Sequence, residues 1–432
     1  LISCDGIEKK RKIVLLIAIH FCFNFRVMIT DPETLKQLLK QGSLSPLEET
    51  LEIKRKKGSL FIGIPKETSF QENRVALTPE AVSLLTANGH RLRVQTKAGE
   101  HARFSDNEYS ECGAEICHDV KEVFACDIIL KVAPPSEDEI DLMPGKQTLI
   151  SALQLSVQPK AILEKLSAKK ITAVAWDYIQ DDHGIFPVVR ALGEIAGNTS
   201  ILIASELLSN PNGKGMMFGG ITGVQPSEVV IIGAGTVGEY AVRSALGLGA
   251  SVKVFDTNIA KLRRLQNAIG ERIFTSVLQP KLVAKALLRA DVVIGAMRAP
   301  LGRTPCVVSE EMVEQMKPGS VLIDISIDQG GCFETSRITN HNDPTFLKHG
   351  VIHYCVPNIA SRVSRTASFA LSNIFSPILI EMGERGGVVD YIRSEIGFRN
   401  GIYLYKGTLT SEVLGKVFKL PYKDIELLIL GL

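Results

Sequence analysis

The sequence contains little that would indicate a nucleic-acid, membrane or metal-binding protein. Its 49 Lys and Arg residues nearly balance 47 Asp and Glu residues, and a formal charge of +2 offers no basic excess for nucleic acid or an acidic membrane surface. An apolar run from Ile13 to Phe25 is too short to span a bilayer, so we expect no direct membrane insertion. The histidines show neither HxxH nor HExxH spacing, and no metal site is expected.

Cysteine pairs and the common nucleophile motifs are also missing. The eight cysteines include no CxxC pair, which argues against a zinc ribbon or a thioredoxin-type redox site. They are typical of buried thiols in a reducing compartment, and we expect a cytoplasmic protein without a disulfide framework. Neither a GxSxG elbow nor a GxxxxGK[ST] loop occurs, which excludes serine hydrolases of that type and P-loop enzymes.

The length and composition indicate a folded protein of two or three domains. The chain has 432 residues, of which 45% are hydrophobic and 22% are charged. We interpret residues 1–58 as an N-terminal extension that ends in a charge run. The first methionine is Met28, and we expect residues 1–27 to be translated upstream sequence rather than a working segment.

Strand-like and helix-like stretches alternate from Leu60 onward, which predicts βαβ units and mainly parallel sheets. Two long helical patterns that are rich in small residues, Val188–Leu208 and Arg365–Gly383, flank a second α/β series. We therefore predict an α/β fold with two Rossmann-like, doubly wound domains. A dinucleotide-binding domain at 187–364 is inserted into a discontinuous substrate domain at 59–186 and 365–432, with the site in the cleft between them. The predicted strands are Leu60–Ile64, Arg91–Thr96, Asp127–Val132, Gln147–Leu153, Thr172–Trp176, Glu228–Ile232, Ser251–Phe255, Arg272–Thr275, Asp291–Gly295, Ser320–Ile325 and Val351–Cys355.

A glycine motif follows the strand at Glu228–Ile232 and matches GxGxxG through Gly233, Gly235 and Gly238. These glycines would permit a tight turn, the close approach of a pyrophosphate and close packing of the next helix on the strand. Asp256 ends the following strand, 18 residues after Gly238, at the spacing of a ribose-binding acid. A carboxylate there repels a 2′-phosphate, so NAD is favoured over NADP. Lys261, in the next helix, is a further candidate for cofactor binding.

Polar side chains lie where other predicted strands end, which is where ligands bind in open α/β sheets. Lys131 lies in an apolar strand and needs either a partner or a ligand. Gln154 follows another strand, and Asp328 precedes a Gly-Gly turn where the backbone can approach a ligand. Arg74, in a loop before Thr78-Pro79, could grip a carboxylate or form a surface ion pair.

These residues lie within motifs that resemble the alanine dehydrogenases, a family related to the α subunit of proton-pumping nicotinamide nucleotide transhydrogenase. The resemblance covers roughly Phe61 to Leu420, and the Asp328–Glu334 motif is more similar to the dehydrogenase branch. The matching stretches are Gly63–Glu67, Arg74–Pro79, Leu130–Val132, Gly219–Gly238, Met316–Asp324 and Ile327–Glu334.

The resemblance implies oxidative deamination of L-alanine to pyruvate and ammonium with NAD, the reverse amination, and a homohexamer. It implies that Arg74 binds the substrate carboxylate and that Lys131 binds the carboxylate and the carbonyl oxygen. It also implies that Asp328 lies beside the reacting carbon and Asn358 near the nicotinamide. Gln154 occupies the position of the family's catalytic histidine; it can hydrogen-bond a carbonyl but cannot exchange a proton near neutral pH.

Two other functions are open at this stage. The chain could be a soluble NAD-binding α-type subunit of a transhydrogenase, which needs no amino-acid acid/base residue at position 154. It could also be a regulatory protein that binds NAD without turnover. Alanine-dependent formation of NADH would distinguish the dehydrogenase from both.

Overall fold

The computed structural model describes residues 58–153, 159–299 and 303–431. The predicted N-terminal extension, apart from Gly58, and the predicted site residue Gln154 lie outside the described residues. Among the described residues, no helix has the length and apolar character needed to cross a membrane.

Strands and helices alternate along the chain, as the sequence predicts. The strands are β1 (Phe61–Ile64), β2 (Arg91–Gln95), β3 (Glu115–Cys117), β4 (Ile128–Leu130), β5 (Thr148–Ser151), β6 (Thr172–Ala175), β7 (Glu228–Ile232), β8 (Ser251–Asp256), β9 (Phe274–Val277), β10 (Val292–Gly295), β11 (Val321–Asp324), β12 (Thr345–Lys348), β13 (Val351–Tyr354), β14 (Ile402–Tyr405) and β15 (Thr408–Leu409).

The helices cover both faces of the sheets or lead between them. They are α1 (Pro79–Ala87), α2 (Asp106–Glu111), α3 (Val120–Phe124), α4 (Glu137–Leu142), α5 (Lys160–Ala168), α6 (Pro187–Ser209), α7 (Thr236–Gly247), α8 (Ile259–Ile269), α9 (Pro280–Leu287), α10 (Glu310–Glu314), α11 (Ser364–Glu384), α12 (Val388–Ser394), α13 (Ile396–Arg399), α14 (Glu412–Phe418) and α15 (Ile425–Ile429). Short 3-10 helices include Ile325–Gln329 and Ile359–Val363.

The two sheets share one strand order. The first runs β15-β14-β6-β5-β4-β1-β2-β3 and the second runs β12-β13-β11-β10-β7-β8-β9. The six central strands of each sheet are parallel, while β14, β15 and β12 add antiparallel edges. This is the doubly wound 3-2-1-4-5-6 order, and it places a topological switch point between β1 and β4 and another between β7 and β10.

Burial on both faces explains why the central strands are continuously apolar. In β7, Val229 and Ile231 pack into one cluster while Val230 and Ile232 pack into the cluster on the opposite face. All four side chains are fully buried, as expected for a parallel strand covered by helices on both sides.

The chain returns to the first sheet after it completes the second. The strand β14 pairs with β6, so residues beyond α11 belong to the first sheet, and the second sheet is an insertion. The long helices α6 and α11, which lead the chain into and out of the second sheet, pack against each other. The predicted fold class is confirmed, whereas the exact domain boundaries stay a prediction.

The structure also contains strands that the sequence pattern did not predict. These are the edge strands β3, β12 and β15 and the strand β14 beside β15, none of which is longer than four residues. The strand predicted at Arg272–Thr275 is found at Phe274–Val277, because its partly exposed residues give no clear apolar boundary. The remaining predicted strands agree with the observed ones to within two residues at either end.

Candidate functional site

Several residues of the candidate site follow the carboxyl ends of strands at or next to the two switch points. In the first sheet, Glu67 follows β1 and Lys131 follows β4 directly. In the second sheet, Gly233 follows β7, and Asp328 lies in the 3-10 helix that follows β11. Ligands of doubly wound folds bind at these ends, so the topology brings residues distant in sequence to two neighbouring edges.

Lys131 is fully buried and paired with two carboxylates. Its Nζ donates to Glu139 Oε1 at 2.6 Å and lies 3.5 Å from Glu67 Oε2. The sequence indicated that this lysine needs either a partner or a ligand, but it did not identify these two partners.

The charges around Lys131 influence one another because all three side chains are buried. Burial disfavours the ammonium, yet Glu67 and Glu139 together hold the pKa of Lys131 above its usual value. Burial raises the pKa of Glu67, and Lys131 offsets only part of that effect. Lys131 is therefore a fixed cation at neutral pH rather than a proton carrier.

Arg74 forms a buried ion pair with Glu72 rather than a surface one. Its Nε donates to Glu72 Oε1 at 2.7 Å and its Nη2 donates to Glu72 Oε2 at 2.6 Å. Burial opposes both charges, but their attraction raises the pKa of Arg74 and lowers that of Glu72. The pair thus fixes the plane of the guanidinium, a group that can bind carboxylates in bidentate fashion.

Serines from the returning chain hold the loop that carries Arg74. Ser361 Oγ donates to the carbonyl of Gln71 at 2.7 Å and accepts from the backbone N–H of Asn73 at 2.9 Å. In α11, Ser368 Oγ accepts from the N–H of Val75 at 2.9 Å. The loop is therefore attached to the chain that leaves the second sheet.

Asn358 connects the Arg74 pair to Asp328. The backbone N–H of Asn358 donates to Asp328 Oδ1 at 2.9 Å, and its side-chain Nδ2 donates to Glu72 Oε2 at 2.8 Å. Asn358 adopts the left-handed conformation with φ of 54°, which asparagine tolerates better than most residues. Candidate residues from both sheets are thus joined in one hydrogen-bonded chain.

Asp328 lies at the protein surface, but other protein atoms surround its carboxyl group. Asp328 as a whole residue is exposed. Burial among the surrounding atoms raises the pKa of Asp328, and the Asn358 N–H and Arg74 oppose this effect. A carboxyl of this kind can exchange a proton with a bound molecule.

Asp324 fixes the turn on which Asp328 lies. Its carboxylate accepts from the backbone N–H groups of Ser326 and Cys332, both at 3.0 Å, and from Ser336 Oγ at 2.6 Å. Asp324 thus caps the 3-10 helix at Ile325–Gln329.

The three motif glycines differ in what surrounds them. Gly233 has φ of 118°, which only glycine adopts readily, and a Cβ there would collide with the carbonyl of Ala296. A Cβ on Gly238 would collide with the carbonyl of Gly233, whereas one on Gly235 would meet no atom within 4 Å. Gly235 precedes α7, so there is open space at the N-terminus of a 12-residue helix, where a pyrophosphate would fit.

Asp256 lies beside this turn. Its Oδ2 accepts from the backbone N–H of Ala234 at 2.7 Å and its Oδ1 accepts from the N–H of Asn258 at 2.8 Å. Each carboxylate oxygen keeps a further lone pair for a ribose hydroxyl. Lys261 is exposed on α8, and Arg264 Nη2 donates to the carbonyl of Ala234 at 3.0 Å, a contact that the sequence did not predict.

Both parts of the chain match models of one protein family. Residues 63–196 match the family described as alanine dehydrogenase/PNT, N-terminal domain, and residues 200–412 match its C-terminal domain. The chain belongs to the alanine dehydrogenase/PNT family.

Similar proteins from this family are matched over most of their length. An alanine dehydrogenase of Mycolicibacterium smegmatis is 40% identical over 84% of this chain and 98% of its own. One from Bacillus subtilis is 38% identical over 85% of this chain and 97% of its own. A solved L-alanine dehydrogenase superposes with a TM-score of 0.78 at 34% identity, over 83% of this chain and 99% of its own.

Membership of the alanine dehydrogenase/PNT family and the dinucleotide turn together imply a nicotinamide cofactor.

Sequence reasoning did not identify Glu67, Glu72 or Glu139 as members of the site, and the Glu72–x–Arg74 spacing was the one available local signal. Among the described residues, no cluster of three His, Cys, Asp or Glu side chains could hold a metal ion.

Proposed function

We propose that this protein catalyses the NAD-dependent oxidative deamination of L-alanine to pyruvate and ammonium, and the reverse amination. The overall reaction is L-alanine + NAD⁺ + H₂O → pyruvate + NH₄⁺ + NADH + H⁺. The observation that carries the proposal is the series of hydrogen bonds from Arg74 through Glu72 and Asn358 to Asp328. It joins a cation that can bind a carboxylate to an acid of the predicted dinucleotide-binding domain.

Arg74 and Lys131 would bind the acid end of the substrate. Arg74 uses Nε and Nη2 to hold Glu72, which leaves its Nη1 edge for the substrate carboxylate. Lys131 would stabilise the negative charge that develops on oxygen as water adds to the oxidised carbon. Two fixed cations also orient the substrate carbon, which is the main requirement of a hydride transfer.

Asp328 would move the protons of the reaction. Its raised pKa and its accessible position suit a carboxyl that accepts a proton from the substrate ammonium or from the attacking water. Asn358 would hold Asp328 through its N–H and lie near the nicotinamide, as the family resemblance implies.

The residues at the second switch point fit a dinucleotide. The open space at Gly235 and the N-terminus of α7 would hold the pyrophosphate, and Asp256 the adenosine ribose, with Lys261 nearby. When bound, the cofactor supplies a nicotinamide ring that accepts the hydride.

We expect NAD to bind at least about 100-fold more tightly than NADP, because the Asp256 carboxylate accepts from ribose hydroxyls and repels a 2′-phosphate. Replacing Asp256 with alanine should reduce this preference to within about tenfold, mainly by weakening NAD. Calorimetric titrations of both nucleotides would measure it.

A control variant is Asp390→Asn, since Asp390 is exposed on α12 and far from the turn in sequence. It should bind both nucleotides as the unmodified protein does. Equal affinities of the unmodified protein for NAD and NADP would contradict the assignment of Asp256.

We expect slow alanine turnover, because Gln154 cannot carry a proton where the family has a histidine. A positioned acid/base group is worth about 10²–10⁴ in rate, so Gln154→His should raise kcat within that range. Its pH profile should gain a step near about pH 6–7, the range of an ordinary histidine, which the unmodified enzyme lacks. Rates of NADH formation from alanine between about pH 6 and pH 10 would measure both.

Gln154→Asn is the matched control, because it alters the side chain without adding a proton carrier. Rapid turnover by the unmodified enzyme would show that histidine is dispensable at this position. Tight NAD binding without alanine-dependent NADH, in both the unmodified protein and Gln154→His, would contradict the dehydrogenase and favour the transhydrogenase subunit or the regulatory protein.

We also propose a cytoplasmic homohexamer with the domain limits predicted above. The six cysteines among the described residues are free thiols, which is typical of a reducing compartment. Sedimentation velocity would test the hexamer, and a smaller species at micromolar concentration would contradict it.

A further inference from the structure

We propose that Glu139 is a positioning residue for the reaction: it holds the Lys131 ammonium at its place in the substrate site. This inference rests on the proposed function, in which Lys131 binds the substrate. It adds to the proposed site a residue on α4, eight positions after Lys131, that does not itself contact the substrate.

The contacts of Glu139 fix both of its oxygens. Its Oε1 accepts from Lys131 Nζ at 2.6 Å and from Thr68 Oγ1 at 3.0 Å. Its Oε2 accepts from the backbone N–H of Ser136 at 2.8 Å, and Ser136 Oγ in turn accepts from the N–H of Glu139 at 3.2 Å. This capping box anchors the carboxylate to the start of α4, so Glu139 is a rigid partner.

The second carboxylate near Lys131, Glu67, acts on it through charge but makes the longer contact. Glu67 Oε2 lies 3.5 Å from Lys131 Nζ, which is beyond the range of a short charge-assisted hydrogen bond. Glu67 also accepts from the backbone N–H groups of Val132 at 2.6 Å and Ala133 at 3.3 Å, so its carboxylate is directed mainly at the backbone. Glu139 therefore determines the direction of the ammonium.

The charged groups that face this cluster come from three elements. Glu139 on α4 and Glu67 after β1 face Lys131 itself. Glu72, in the loop before α1, acts on Glu67 and is itself paired with Arg74. Without Glu139, one carboxylate would be left to oppose burial, the largest influence on Lys131, so we expect the pKa of Lys131 to fall below its usual value.

Glu139→Gln tests this role with little change of shape. The amide oxygen can still accept from Ser136 N–H and keep the capping box, but the amide NH₂ then faces the Lys131 ammonium, donor against donor. Glu137→Gln is the matched control, because Glu137 lies on the same helix and pairs with the partly exposed Lys165. Glu139→Asp keeps the charge at a greater distance and should restore part of the loss.

The first readout is kcat/KM for alanine relative to the unmodified enzyme at each pH, since this ratio cancels the ionisation of the substrate. For Glu139→Gln we expect a ratio that falls with rising pH, with its midpoint below the usual pKa of lysine. The loss should lie mainly in KM, and the Glu137→Gln ratio should stay near one. A Glu139→Gln ratio that does not change with pH would overturn the proposal.

The second readout needs no turnover, so it separates this inference from the proposed function. Glu139→Gln should lower the melting temperature at pH 7, and the gap to the unmodified protein should narrow toward about pH 10. In the folded variant, Lys131 should lose its proton at a lower pH than in the unfolded variant. The free energy of unfolding of the variant therefore rises with pH between those two pKa values. A difference in melting temperature that stays constant with pH would overturn the role of Glu139. If the difference narrows but no alanine turnover is found, only the proposed function is contradicted.

Discussion

Replacing Lys131 with methionine is expected to lower kcat/KM for alanine by about 10³-fold or more. One fixed donor to a developing oxyanion is typically worth about 10²–10³ in rate, and Lys131 also binds the substrate carboxylate in the proposed mechanism. NAD affinity should be unchanged, because the dinucleotide turn lies in the other sheet. Steady-state kinetics and an NAD titration of the same preparation would measure both.

The same substitution also destabilises the fold, and that effect needs its own control. Removing Lys131 leaves Glu67 and Glu139 buried without their cation, a change that costs about 3–5 kcal/mol of unfolding free energy. Adding Glu139→Gln to Lys131→Met should recover part of this stability while turnover stays lost. Lys165→Met, at a partly exposed lysine that also pairs with two carboxylates, should keep its activity.

Substantial turnover by Lys131→Met would show that the ammonium is not part of the reaction. Recovery of turnover in the double variant would instead show that Lys131 contributes only to folding. Either result would remove Lys131 from the catalytic residues.

Asp328→Asn is expected to lower kcat for alanine oxidation by about 10²–10⁴, the usual contribution of a positioned acid/base group. The amide oxygen can still accept from Asn358 N–H, so the hydrogen-bonded chain and NAD affinity should persist. The measurement is the pH dependence of kcat/KM for both proteins.

The sign of the pH dependence follows from the raised pKa of Asp328. As a proton acceptor in deamination, Asp328 is active when ionised, so activity should rise with pH through a value above the usual pKa of an aspartate near about 3.9. The Asn variant should lose this acidic limb. If the acidic limb of the pH profile is unchanged in Asp328→Asn, it belongs to another group. The control variant Asp390→Asn, at an exposed residue, should keep the acidic limb.

Local pattern alone predicted much of the second sheet and its cofactor turn. The residues Val229–Ile232 form a continuous apolar run, which is the expected signature of a strand buried on both faces, and Gly233, Gly235 and Gly238 follow it at fixed spacing. Asp256 could be predicted because one strand and one helix separate it from the turn, so its distance along the chain determines its place in space.

The partners within the substrate site could not be predicted in this way. Glu139 is eight residues from Lys131, but its contact depends on the bend at Val132–Ala133 and on the capping box that begins α4. The contact of Glu72 with Asn358 joins residues 286 positions apart. No periodic pattern encodes such a pair, since it exists only after both sheets have formed.

The sequence by itself determined the alternation of strands and helices, the dinucleotide turn and the identity of the polar groups at the strand ends. Only the tertiary structure decided how those groups are paired, because burial makes an isolated charge costly and the partner is whichever opposite charge the fold brings near. It likewise decided that β14 joins β6, since a strand of only four residues acquires its place from a neighbour far away in the chain.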